Sequence, residues 1–119
     1  MSNLLEKKCI PCQGGVPPLG PEETDRYYQE ISSEWVLNTK KDRLKRSVKF
    51  KNFSDPMAMA NEIGKMADEQ WHHPELSIGY GHLEIEVWTH KIDGLVESDF
   101  IFAAKCDHII ESFSSVIDS

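Results

Sequence analysis

The chain has 119 residues, with 13 Lys plus Arg against 20 Asp plus Glu and a formal charge of −7. That length holds one domain with a real core, and 39% hydrophobic with 28% charged residues excludes a disordered tail, a collagen-like repeat and a membrane span of roughly 20 apolar residues. The acidic balance argues against nucleic-acid binding, the early charges Glu6, Lys7 and Lys8 against a secretory signal, and three cysteines against a disulfide framework, which together point to a cytoplasmic protein.

Residues 9–21 hold four of the six prolines and three of the seven glycines. Such a segment sustains neither a helix nor a central strand, so residues 1–20 are expected to form an extended N-terminal arm and residues 21–119 a single domain. A first helix is placed at about 21–32, with Pro21 in its first turn, Glu22 and Glu23 at the positive end of the dipole, and Tyr27, Tyr28 and Ile31 at helical spacing. Trp35, Val36 and Leu37 open a strand. Leu44, Arg46, Val48 and Phe50 then interleave with Lys45, Ser47 and Lys49, which gives a hairpin. Seven of the thirteen basic residues fall in this stretch, at Lys40, Lys41, Arg43, Lys45, Arg46, Lys49 and Lys51. The run reads as a solvated face, with docking of an anionic partner as the alternative.

A second helix, at about 55–70, starts from a cap at Ser54 or Asp55 with Pro56 in its first turn, and Met57, Ala60, Ile63, Gly64 and Ala67 recur along it at three- and four-residue steps. After it, residues 76–80 alternate, Gly81 breaks the run, and Leu83, Ile85 and Val87 alternate with Glu84, Glu86 and Trp88 in a strand that reaches His90. Asp93-Gly94 marks a turn, and Ser98 is the expected cap of a last helix carrying Ile101, Phe102, Ala104, Cys106, Ile109, Ile110, Phe113 and Val116. The order α-β-β-α-β-β-α predicts an α+β fold, a four-stranded antiparallel sheet with helices packed on one face.

Reactive groups concentrate after the second helix. His72 and His73 follow it directly, and Pro74 pushes His73 into an extended conformation. If strand 82–90 pairs antiparallel with 75–80, chain reversal carries His90 to the same end. Imidazoles titrate near pH ~6.5, so such a cluster exchanges protons at neutral pH without metal. Asp68, on the last helical turn, shares a face with position 72 and is placed to orient that imidazole. The alternative is that the histidine pair only caps the helix C-terminus, where a cation meets the dipole favourably. His82 and His108 read as surface or packing residues. Cys9 and Cys12 have the spacing of half a zinc knuckle, but a closed site needs four ligands and the sequence offers no second pair, so no metal is expected. Cys106, in a largely apolar helix, reads as core.

In residue type and spacing, Asp68, His72-His73-Pro74, Tyr80, His90 and Asp99 resemble the motif of the pterin-4a-carbinolamine dehydratases. The flank Cys-x-x-Cys-x-Gly-Gly-x-Pro-Pro-Leu at 9–19, together with Trp35, resembles the family's bacterial type. The resemblance covers nearly the whole chain. It implies dehydration of 4a-hydroxytetrahydrobiopterin to quinonoid dihydrobiopterin and water, the recycling step that serves aromatic amino acid hydroxylases, with neither metal nor other cofactor. It also implies that His72 and His90 form the acid-base pair, that His73 binds and assists, that Asp68 tunes or orients, and that Trp71, Pro74, Tyr80 and Asp99 contact the substrate. A homodimer or homotetramer is implied as well. Trp71 and Leu76 stand where many animal members have Asp and Trp, and Asp68 where many have Glu. The rival readings are a binding or dimerisation module of the same fold, a dehydratase-like protein for another pterin, and a metal-dependent hydrolase using His72, His73, His90 and Asp68.

Overall fold

In a computed structural model that describes residues 4–9, 17–114 and 116–117, the elements are α1 Pro21–Tyr28, β1 Val36–Leu37, β2 Leu44–Lys49, α2 Ser54–Gln70, β3 Glu75–Gly79, β4 His82–Val87 and α3 Glu97–Glu111. The strands form one antiparallel sheet in the order β1-β2-β4-β3. This is the expected α+β architecture. The register sets Leu44 opposite Val87 and Val48 opposite Leu83; these four, with Ile85, are at most 3% exposed. Period-two alternation sends Lys45, Ser47, Lys49, Glu84 and Glu86 to the other face, where Lys45 Nζ and Glu84 Oε2 lie 3.7 Å apart.

The helices cover the apolar face. In α2 the buried stripe is Pro56, Met59, Ala60, Ile63 and Ala67, at steps of three and four. Met57, expected on that stripe, is 38% exposed instead. The cap differs too: neither Ser54 nor Asp55 supplies it, because Asn52 Oδ1 accepts the Asp55 N–H at 2.8 Å while Asn52 Nδ2 donates to the Asp55 carboxylate at 2.9 Å. α1 ends earlier than expected, since Glu30 N–H and Ile31 N–H reach back only three residues to Tyr27 and Tyr28, a tightened last turn.

α3 is buried on most of its circumference, including Phe100, Ile101, Phe102, Ala103, Cys106 and Ile110. It packs against both α1 and α2, and an N-terminal turn lies over it. Ser98 does not cap it; Val96 is the N-cap, and Asp99 Oδ2 reaches back to accept the Val96 N–H at 2.8 Å. α3 stops at Glu111, short of Phe113 and Val116, and Ile117 then bridges to Lys49 of β2.

Residues 4–9 depart from the expected extended arm. Leu4–Glu6 form a 3-10 turn with Leu4 only 2% exposed, tied to α3 by Lys7–Glu97 at 2.7 Å and by Lys105 Nζ donating to the Leu5 carbonyl at 2.8 Å. An apolar residue near a terminus packs on an open helix flank when one is offered. Cys12 lies outside the described residues. In the basic run, Lys41, Arg43, Lys45 and Arg46 pair with Asp25, Asp93, Glu84 and Asp107, so four of its seven cations are charge-compensated, Arg46 on the helix-covered side of the sheet. Among the described residues no helix is long and apolar enough to cross a membrane.

Candidate active site

The site begins where α2 ends. Trp71 sits in the left-handed region at φ 53° and ψ 38°, and His72 N–H donates to the Ala67 carbonyl at 3.2 Å while Trp71 N–H reaches Asp68 at 3.4 Å. This is a Schellman termination with tryptophan where glycine is usual. The reversal turns His72 inward, to 8% exposure, and leaves His73 facing solvent.

His72 Nε2 lies 2.6 Å from Asp99 Oδ1. Asp99 is 0% exposed, and its Oδ2 accepts from Thr89 Oγ1 and from Val96 N–H, both at 2.8 Å. A buried carboxylate needs its lone pairs satisfied; with two donors on one oxygen, the other is committed to the histidine. Asp99 therefore joins three segments, the end of α2, the turn after β4 at Thr89 and the start of α3.

Asp68 does not orient His72. The left-handed turn rotates position 72 away from the α2 face, so the partner of Asp68 is His73, with Oδ1 and Nε2 at 2.9 Å. That pair is exposed, at 81% and 58% of the two side chains, and is correspondingly screened.

His90 lies beyond β4 rather than at the end of the strand. Thr89 and Gly94 close a turn around it through Thr89 N–H to Gly94 O at 2.8 Å, and Asp93 adopts φ 51° to complete that turn. The His90 ring stacks on Trp88, with centroids 4.2 Å apart and planes 14° from parallel.

Trp71, His72, His73, Pro74, Glu75, Trp88, Thr89, His90 and Lys91 line one cavity of about 460 Å³. The expected gathering of the three histidines is therefore present, with Trp71 and Pro74 beside them. Two expected substrate contacts fall elsewhere. Tyr80 sits at the opposite end of the β3–β4 hairpin, 75% exposed, with its hydroxyl donating to the Lys51 carbonyl at 3.1 Å. Asp99, fully buried behind His72, does not line the cavity and touches it through the His72 imidazole and the Thr89 hydroxyl. Glu75, Trp88, Thr89 and Lys91 are lining residues that the sequence reading missed. The alternation of β4 carried a signal for one of them, because it sets Trp88 and His90 on one side and Thr89 on the other.

Chemically, the arrangement is a half-open pocket with an aromatic at two of its borders and three imidazoles, one fixed by a buried carboxylate. Among the described residues no three His, Cys, Asp or Glu side chains are grouped as metal ligands, and His72 Nε2 is already engaged by Asp99.

Comparison with known proteins follows this geometry. Residues 17–109 match the family model described as pterin 4 alpha carbinolamine dehydratase. A Rickettsia bellii protein is 50% identical over 88% of this chain and 92% of its own length. One from Rubrobacter xylanophilus is 49% identical over 92% of this chain and 100% of its own. Both carry the name pterin-4-alpha-carbinolamine dehydratase as a provisional assignment. A Brucella melitensis crystal structure, described as a transcriptional coactivator/pterin dehydratase, superposes with a TM-score of 0.71 at 26% identity, over 77% of this chain and 97% of that one.

Proposed function

The chain belongs to the pterin 4 alpha carbinolamine dehydratase family, and on that premise we propose that it dehydrates 4a-hydroxytetrahydrobiopterin to quinonoid dihydrobiopterin and water by proton transfer between histidines. The observation that carries this reading is the convergence of His72, His73 and His90 on one cavity bordered by Trp71 and Trp88.

The reaction breaks the C4a–O bond and forms a C4a–N5 double bond. The leaving hydroxyl takes a proton from an imidazolium and departs as water, while a neutral imidazole removes the N5 proton, so protons and charge balance over one turnover. With Nε2 of His72 held by Asp99, its Nδ1 is the nitrogen left to exchange that proton. His90 supplies the second imidazole and His73 binds the ring edge, its ring oriented by the hydrogen bond to Asp68. Trp71 and Pro74 offer apolar surface to a planar heterocycle, and stacking on an aromatic orients such a ring. Membership of a recycling route for aromatic amino acid hydroxylases, a cytoplasmic setting and a homo-oligomer belong to the same reading.

The coactivator half of the Brucella protein's description raises a second reading, an interaction module. Retention of all three histidines around an open cavity favours catalysis. The deciding experiment follows quinonoid dihydropterin formation from freshly generated 4a-hydroxytetrahydrobiopterin, with EDTA present. Acceleration that persists in EDTA is expected, and His72→Ala and His90→Ala each lower turnover by about 10²-fold or more. Folded wild-type protein that gives no acceleration overturns the dehydratase reading.

A further inference from the structure

Arg43 lies beside the site and no catalytic step uses it. The register places Leu44 opposite Val87, so Arg43, one residue before β2, comes level with Trp88, one residue after β4. Its Cζ sits 4.4 Å from the centroid of the Trp88 ring, within cation–π range. The guanidinium is fixed from behind: Nη1 donates to the Asp42 carbonyl at 2.8 Å, and Nη2 pairs with the Asp93 carboxylate. Asp93 belongs to the same Thr89–Gly94 turn as His90. The Trp88 ring in turn stacks on His90 at 4.2 Å.

The two imidazoles assigned to proton transfer are thus held by different means. His72 is buried and fixed by a hydrogen bond to Asp99. His90 is exposed, and an exposed side chain with two rotatable bonds samples several rotamers unless packing selects one. Stacking makes that selection, and it holds only if Trp88 is itself held. We propose that Arg43, laid over Trp88 and anchored by Asp93, is a positioning residue that fixes the His90 imidazole at its working angle in the cavity. In its kinetic consequence this rests on the dehydratase reading, whereas the geometry stands without it.

A loosened His90 still leaves the pocket able to bind but seldom aligned for transfer, so the cost falls on kcat rather than on KM. In histidine-labelled protein, stacking on Trp88 shifts the His90 ring protons upfield of those of the exposed His82 and His108. In Arg43→Ala that shift collapses while the His72 resonances stay in place, kcat falls about tenfold and KM stays within about twofold. Arg43→Lys, which keeps a cation over the ring, recovers most of both. His90 resonances unchanged in Arg43→Ala overturn the proposal, as does a collapsed shift with kcat at the wild-type level. A folded wild-type protein without turnover removes the dehydratase reading alone; the resonances then still decide whether Arg43 holds His90.

Discussion

His72 and His73 are neighbours in sequence with the same kind of partner, a carboxylate at hydrogen-bond distance, but they sit in different dielectric surroundings. Asp99 is 0% exposed and the Asp68 side chain 81% exposed, so the first pair acts at nearly full strength and solvent screens the second. In an Asp99→Asn variant the side-chain oxygen keeps the Val96 and Thr89 donors, which leaves an amide N–H facing His72 Nε2. A donor there forces the ring proton onto Nδ1, the wrong tautomer for a nitrogen that must exchange protons with substrate. Asp99→Asn is expected to lower kcat by about 10²-fold with a smaller change in KM, and Asp68→Asn to change kcat by less than about threefold. Equal effects in the two variants would contradict the burial argument. The residue types and spacing at 72, 73, 90 and 99 were legible in the sequence because they match the family motif they resemble. The pairing was not. A helical-face argument assigns Asp68 to His72, and one left-handed residue between them reverses the assignment.

Among the elements, the end of α2 sets the site. Most of that helix could be read from its apolar period, whereas its last turn could not, since tryptophan gives no advance sign of a left-handed conformation. A non-glycine residue there costs about 1–2 kcal/mol relative to a right-handed conformation, and Trp71 is 74% exposed, so little burial offsets that cost. Trp71→Gly is therefore expected to stabilise the fold by up to about 1 kcal/mol, seen as a higher urea midpoint with unchanged slope. The same variant removes an aromatic from the cavity mouth and should raise KM several-fold for the proposed pterin. A midpoint that falls would show that the indole packs more than its exposure indicates. The two hairpins were legible for a simpler reason: strict alternation in β4 puts Leu83, Ile85 and Val87 on one face, and a one-residue slip would expose all three. Tyr80 falls away from the cavity, at the other end of the hairpin, a placement that spacing along a motif does not reveal.

Across the whole molecule, residues 4–9 act as a clasp on the site. Cys9 N–H donates to Gln70 Oε1, on the last residue of α2, at 2.9 Å, and Cys9 Sγ donates to the Ser98 carbonyl, in the first turn of α3, at 3.4 Å. Those two helix ends present His72 and Asp99, so the clasp holds together the parts that form the buried pair. Composition concealed this, because proline and glycine content describes the segment as a whole and not the single apolar contacts at Leu4 and Cys9. Leu4→Ala is expected to cost about 2 kcal/mol, the lower end of leucine truncations, because the 3-10 turn can relax. The thiol offers a second test with a definite sign. Burial pushes the Cys9 thiol from the ordinary 9.0 up to about 12, so in the folded protein it stays protonated where the unfolded chain has already ionised. Its share of stability is complete below pH 9.0 and is lost as the pH rises from there towards about 12, since the unfolded state then binds fewer protons. Urea midpoints measured at pH 8 and pH 10.5 should therefore fall more for wild type than for Cys9→Ala, the comparison cancelling the other groups that titrate in this range. At pH 8, iodoacetamide should modify Cys9 slowly in folded Cys12→Ser protein and quickly in urea. Equal declines in the two proteins, or rapid alkylation without denaturant, would mean that the segment opens too readily to clasp the helix ends that carry the site.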